Sequence, residues 1–171
     1  MANRLSRLRN VVVVLSIGSL LCLAACGFQL RGTATLPFET IYVPNATAGI
    51  ALDLKRNIVA GTGTRVLDDP KAAEAQLQFN EESRRKEILS LTSAGRVSEY
   101  RLFYRVRFRV ADAKGADFLP PSTVTLTRDM TYDDTQVLAK EAEEQLLFRD
   151  MQADMVQQIM RRIATAQTPK S

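Results

Sequence analysis

Four arginines recur at odd-numbered positions within one short stretch of the chain. They are Arg101, Arg105, Arg107 and Arg109. In an extended strand alternate side chains share one face and lie roughly 6.6 Å apart, so this spacing predicts a row of cations. Guanidinium groups bind phosphate and carboxylate through a bidentate fork. Two interpretations stay open: a solvated strand face, or a surface for a polyanion, either a phosphorylated glycolipid head group or the acidic side chains of a partner.

Cys26 directly follows Leu23-Ala24-Ala25 and could carry acyl chains. Three arginines and an apolar run precede it, which is the order of a secretory signal. The apolar run is about half of the ~20 residues that span a bilayer. A cysteine after Leu-Ala-Ala is typical of bacterial lipoprotein signals. We therefore predict a cleaved signal over residues 1–25, and N-acyl and S-diacylglycerol groups on Cys26; an ordinary secretory signal is the alternative.

The composition argues against several functions. The 171-residue chain has no histidine, which removes the commonest general base and metal ligand and every His-dependent nucleophile. Cys22 leaves with the signal and Cys26 is acylated, so no thiol is left for a metal. Residues 1–25 hold three arginines and no acid, so the net charge falls from +4 to 4 − 3 = +1. We expect no enzyme activity, metal or other cofactor, and no nucleic-acid partner.

Hydrophobic periodicity predicts the elements that position these residues. Strands at 41–43 and 65–67 flank a helix from Gly49 to Gly61, which gives a β-α-β start. Alternation predicts a strand over 75–91, bent or bulged by its charged centre, and a hairpin turn at Gly95. The next strand, over 100–110, carries apolar residues on the face opposite the arginines.

The last third of the chain predicts a loop over 113–121, a strand over 124–132 and a helix over 136–165 with one apolar stripe. This order of elements predicts an α+β sandwich with helices on one face of the sheet. We expect a lipidated tether over 26–37, a single sandwich domain over 38–166 and a disordered tail over 167–171.

Several segments, taken together, resemble the LptE family of lipopolysaccharide-assembly lipoproteins. They are the sequence CGFQLRG at 26–32, the Gly95 turn before Ser98-Glu99-Tyr100, Arg128 ahead of Tyr132-Asp133, and Val137–Glu141 followed by Met151 and Ile159. The resemblance implies an α/β sandwich of two helices on a mainly four-stranded mixed sheet. It also implies an outer-membrane lipoprotein that faces the periplasm, plugs and helps assemble an LptD-type barrel, and binds lipopolysaccharide during its delivery to the cell surface.

The same resemblance implies which residues contact lipopolysaccharide. Lys140 matches a basic position of the family, whereas Ser93 stands where a basic residue is sometimes found, and Arg96 is the candidate substitute. Gly27, next to the cysteine, implies sorting to the outer membrane. The alternative is an outer-membrane scaffold lipoprotein that binds only protein; a hydrolase is disfavoured, because histidine is absent and no nucleophile has a suitable context.

Overall fold

The computed structural model describes residues 35–168. Its elements are β1 (Thr40–Tyr42), α1 (Gly49–Gly61), β2 (Arg65–Leu67), β3 (Ala75–Leu91), β4 (Val97–Ala111), β5 (Asp117–Thr131), a 3₁₀ turn (Asp134–Gln136) and α2 (Val137–Ile163). The strands form one mixed sheet in the order β2-β1-β3-β4-β5, in which β1 is parallel to β2 and β3 and the other pairs are antiparallel. The predicted α+β class is confirmed. The sheet has five strands rather than mainly four, because short β2 pairs with β1.

The core lies between the sheet and the two helices. Alternation along β4 buries its even-numbered residues from Leu102 to Val110, as expected for a strand with one covered face. The helices bury apolar stripes against them: Ile50, Leu54 and Ile58 from α1, and Met151, Met155, Ile159 and Ile163 from α2. We call the side of the sheet that the helices cover the inner face and the opposite side the outer face.

Strand β3 extends well beyond its partner β1. The two strands pair only at Ala75 and Gln76 of β3, whereas β4 follows β3 to Leu91. The register shifts between Phe79 and Glu81, so the predicted irregularity is confirmed as a bulge. Gly95 has a positive φ of 76° in the hairpin that follows. The β3–β4 hairpin, with β5 paired alongside β4, therefore extends well past the β-α-β start.

The loop predicted over 113–121 is wrong, because β5 already begins at Asp117. Pro120 and Pro121 lie inside this strand. Proline is confined to edge strands and bulges because it lacks an N–H. Both conditions hold here: β5 is the edge of the sheet, and its register with β4 shifts between Phe108 and Val110.

The two ends of the described chain meet at Phe118. Leu36 and Phe38 are buried, and the Phe38 and Phe118 ring centroids are 5.4 Å apart. After α2, the Gln167 N–H donates to the Phe118 carbonyl at 2.9 Å. The predicted signal and Cys26 lie outside the described residues. Among residues 35–168, no helix combines the length and apolarity needed to cross a bilayer.

Candidate functional site

The two predicted lipopolysaccharide-contacting residues lie at the same end of the fold. Arg96 directly follows the Gly95 turn, and its Nη1 is 3.4 Å from Asp134 Oδ2. Lys140 is in the first turns of α2, and its Nζ donates to Glu143 Oε2 at 2.8 Å and to Thr131 Oγ1 at 3.1 Å. We call this end, residues 88–99 and 131–141, the distal tip.

Asp133 is the N-cap of the 3₁₀ turn between β5 and α2 at this end of the fold. Its carboxylate accepts hydrogen bonds from the backbone N–H of Thr135 at 2.9 Å and from the Thr135 hydroxyl at 2.8 Å. These bonds hold the pKa of Asp133 below its ordinary value, and the charges of Arg96 and Lys140 lower it further. The partners of the two cations, Asp134 for Arg96 and Thr131 for Lys140, flank Asp133 in the chain, so the structure places both predicted residues at this tip.

Arg96 and Lys140 differ in how open they are to a ligand. The Arg96 side chain is 68% exposed, and an ion pair of this kind contributes little. The Lys140 side chain is only 15% exposed and is held between Glu143 and Thr131. An incoming phosphate reaches Arg96 directly, whereas Lys140 must exchange Glu143 for the ligand.

The distal tip also exposes an unusual amount of apolar side chain. Of the seven large exposed hydrophobic residues among 35–168, five are here, namely Ile88, Leu89, Leu91, Val137 and Leu138. Leu138 is 82% exposed. Clustered exposed apolar side chains mark interaction sites more often than scattered ones. The hydrophobic periodicity of the sequence did not predict this cluster. The available signal was that Leu138 lies off the apolar stripe that α2 buries.

The arginine row of β4 lies on the outer face, and most of its charge is compensated. Arg101 makes a bidentate pair with Asp129 at 2.7 and 2.9 Å. Arg105 is 3.8 Å from Glu81, and Arg109 is 3.5 Å from Asp117. Arg107 makes no ion pair within residues 35–168. Cross-strand pairing of this kind favours a self-neutralised polar surface over a polyanion site.

An Arg101→Gln change tests this compensation. The hydrogen bonds and charge of Arg101 hold the pKa of Asp129 below its ordinary value of 3.8. Because a lowered pKa stabilises the fold only above that ordinary value, the stabilisation is present above about pH 4 and is lost as the pH falls through the folded pKa. We expect Arg101→Gln to raise the pKa of Asp129 towards 3.8, as measured by NMR titration. Arg107→Gln is the matched control; an equal effect there would contradict the pairing.

No group of three or more His, Cys, Asp and Glu side chains in the described part of the chain is arranged to hold a metal ion. The distal tip instead combines guanidinium, ammonium and apolar groups, which suit an amphipathic anion.

Comparisons with known proteins agree with this architecture. The family model "LptE: Lipopolysaccharide-assembly" matches residues 38–163. The LPS-assembly lipoprotein LptE of Pectobacterium atrosepticum is 26% identical over 163 residues, covering 92% of this chain and 88% of that protein. The LptE of Yersinia enterocolitica is 27% identical, covering 91% of this chain and 77% of that protein.

Solved structures show the same fold. An uncharacterised lipoprotein B from Nitrosomonas europaea superposes with a TM-score of 0.69 at 42% identity, covering 81% of this chain and 90% of that one. A minor lipoprotein from Acinetobacter baumannii gives a TM-score of 0.63 at 26% identity, covering 80% and 99%. The matched segment includes every helix and strand of residues 35–168, and the chain belongs to the LptE family of lipopolysaccharide-assembly lipoproteins.

Proposed function

We propose that this protein is a non-catalytic outer-membrane lipoprotein, anchored at Cys26 and facing the periplasm, that binds lipopolysaccharide at its distal tip and plugs an LptD-type barrel. Membership of the LptE family supports the assembly role. The observation that carries lipopolysaccharide binding is the presence, at one tip, of Arg96 and Lys140 together with five exposed apolar side chains.

The chemistry of the tip matches that of lipid A, which presents phosphates next to acyl chains. Arg96 offers a guanidinium fork to a phosphate, and Lys140 adds a compact charge once Glu143 is displaced. Exposed side chains such as Leu138 then contact acyl carbons. In doing so the tip competes with the divalent cations that bridge lipid A phosphates, and it loosens lipopolysaccharide aggregates.

The outer face supports the barrel-plug part of the proposal. The lumen of a large outer-membrane barrel is polar and water-filled. The outer face presents the arginines of β4, three of which are ion-paired. On the neighbouring strand β5 it also presents Thr123, Thr125 and Thr127, which lie opposite Arg107, Arg105 and Phe103. A surface of this kind stays hydrated beside a polar wall, and few of its charged side chains lack an ion-pair partner.

Charge reversal at the tip tests lipopolysaccharide binding. We expect Arg96→Glu and Lys140→Glu each to weaken lipopolysaccharide binding by the full chain in neutral detergent by about tenfold, because charge-assisted contacts contribute about 1.5–3 kcal/mol. Binding is measured by titration with purified lipopolysaccharide, and folding is checked by circular dichroism. The weakening should shrink as salt is added.

Lys55→Glu is the matched control, because Lys55 is also in an ion pair, 3.0 Å from Asp68, but lies on α1 away from the tip. If both tip variants bind lipopolysaccharide as tightly as this control, the distal tip is not the binding site and the protein-only scaffold is favoured.

A mild-detergent pull-down tests the association with a barrel independently of lipopolysaccharide binding. One large β-barrel protein recovered in near-equal amount supports it, and recovery of the chain alone contradicts it.

A further inference from the structure

A groove of about 360 Å³ opens between β3 and α2, outside the distal tip. Arg84 reaches it from β3, and Gln145, Phe148, Arg149 and Gln152 line it from α2. Along β3, Arg84 precedes Ile88, the first residue of the distal tip, by four residues, about 13 Å in an extended strand. The groove is therefore a separate place from the site proposed for lipopolysaccharide.

The bulge in β3 explains why an arginine faces a helix here. Before it, Phe79 pairs with Phe108 on the inner face; after it, Glu81 pairs with Arg107 on the outer face. One extra residue in a strand exchanges the faces of every residue that follows. Arg84, opposite Tyr104, thus points inward beneath α2.

Arg84 is held in place by uncharged groups. Its guanidinium carbon is 4.6 Å from the ring centroid of Tyr104 and 5.8 Å from that of Phe148, within the range of cation–π contact. Its Nη2 donates to Gln152 Oε1 at 2.6 Å. The Gln152 amide nitrogen in turn donates to Asp53 Oδ2 on α1 at 2.6 Å, which fixes its oxygen towards Arg84. The cation is therefore positioned before any ligand arrives.

The positive charge in the groove is not neutralised. Within residues 35–168, neither Arg84 nor Arg149 has a carboxylate at ion-pair distance, whereas the next basic residue on this face of β3, Lys86, is 2.6 Å from Glu144. Glu82, also on this face, accepts the Tyr104 hydroxyl at 2.7 Å. Two guanidinium groups without an ion-pair partner in the described chain thus line one groove, an arrangement that favours an anionic ligand.

We propose that this groove binds a phosphate group between Arg84 and Arg149. Two cations match the double negative charge of a phosphate better than the single negative charge of a carboxylate. Guanidinium forks also bind phosphate oxygens bidentately. Gln145 adds an amide at the rim. The phosphate belongs either to a soluble phosphate compound or to a phosphorylated lipid head group, and both sources present the same chemistry.

NMR titration of the full chain in neutral detergent tests this site. The arginine Nε–Hε signals are followed at constant ionic strength, with inorganic phosphate in one series and with micelles containing phosphatidic acid in the other. We expect saturable shifts of the Arg84 signal, with a ligand concentration at half-saturation at least about tenfold lower than for the Arg161 signal. Arg161 is the reference because it is an exposed arginine of α2 without an ion pair in the described chain. Tighter binding from the lipid micelles identifies a head group, and equal or weaker binding identifies soluble phosphate.

Substitutions then separate the site from general anion attraction. Arg149→Gln, on an exposed position, should weaken binding about tenfold while leaving the fold intact, and Arg161→Gln should leave binding unchanged. Arg84→Lys keeps the charge but loses the fork and should weaken binding as well. Linear shifts in both series, or equal losses in Arg149→Gln and Arg161→Gln, would overturn the proposal. Neither result depends on the distal tip, so it leaves the proposed function untouched.

Discussion

Replacing Phe108 with alanine is expected to lower the free energy of unfolding by about 3–5 kcal/mol, the usual cost of deleting a buried ring. Phe108 is fully buried near the C-terminal end of β4, opposite Phe79 of β3 and Ser122 of β5. It belongs to the core that both helices cover, so its removal leaves a cavity that no flexible surface segment can fill. Because domains of this size are stable by about 5–15 kcal/mol in total, this is a large fraction.

Phe103→Ala is the matched control for this prediction. Phe103 is the same residue type on the same strand, but it lies half-buried on the outer face. There the guanidinium carbon of Arg85 is 5.4 Å from the centroid of its ring. We expect a loss of about 1 kcal/mol or less there. Urea denaturation of the full chain measures both variants. Equal losses would show that the outer face is packed as tightly as the inner face and would contradict the assignment of the core.

The elements governed by a clear period could be predicted from the sequence. Helix α1 has the predicted bounds, since its apolar residues at four-residue spacing leave one face to bury and Gly61 ends the pattern. The inner and outer faces of β4 also follow directly, because six alternating apolar positions admit only one register against a core. Arg96 and Lys140, by contrast, were singled out by the family resemblance and not by a period, and their common position at one end is seen in the assembled fold.

Features that depend on one residue of register could not be predicted in the same way. A charged stretch such as 81–86 signals an irregularity, but not which side chains turn inward, so the groove around Arg84 was missed. Pro120 and Pro121 signalled a loop because sequence alone does not show which strand is an edge. The partners of the arginine row come from two other strands, so its charge compensation appears only once the sheet is assembled.

A Cys26→Ser variant is expected to lose its acyl chains, so that it stays in the outer-membrane fraction only as far as a barrel partner retains it. The proposed anchor combines an N-acyl chain with the two chains of the S-diacylglycerol group, each contributing about 0.8 kcal/mol per buried CH₂. One short chain gives only marginal binding, so firm anchoring depends on having more than one. Serine keeps the size of the side chain but lacks the thiol that forms the thioether, so incorporation of labelled palmitate should fall to background.

Cys22→Ser is the matched control, because Cys22 lies within the predicted signal, four residues before Cys26, and leaves with it. We expect this variant to incorporate palmitate and to fractionate as the original chain does. The contrast bears on the rest of the proposal because Leu36 is already part of the buried core. An anchor at residue 26, ten residues earlier, confines the domain to within about 35 Å of the bilayer surface. Label on the Cys26→Ser protein, or its loss from Cys22→Ser, would show that the chain is held at the membrane by something other than Cys26.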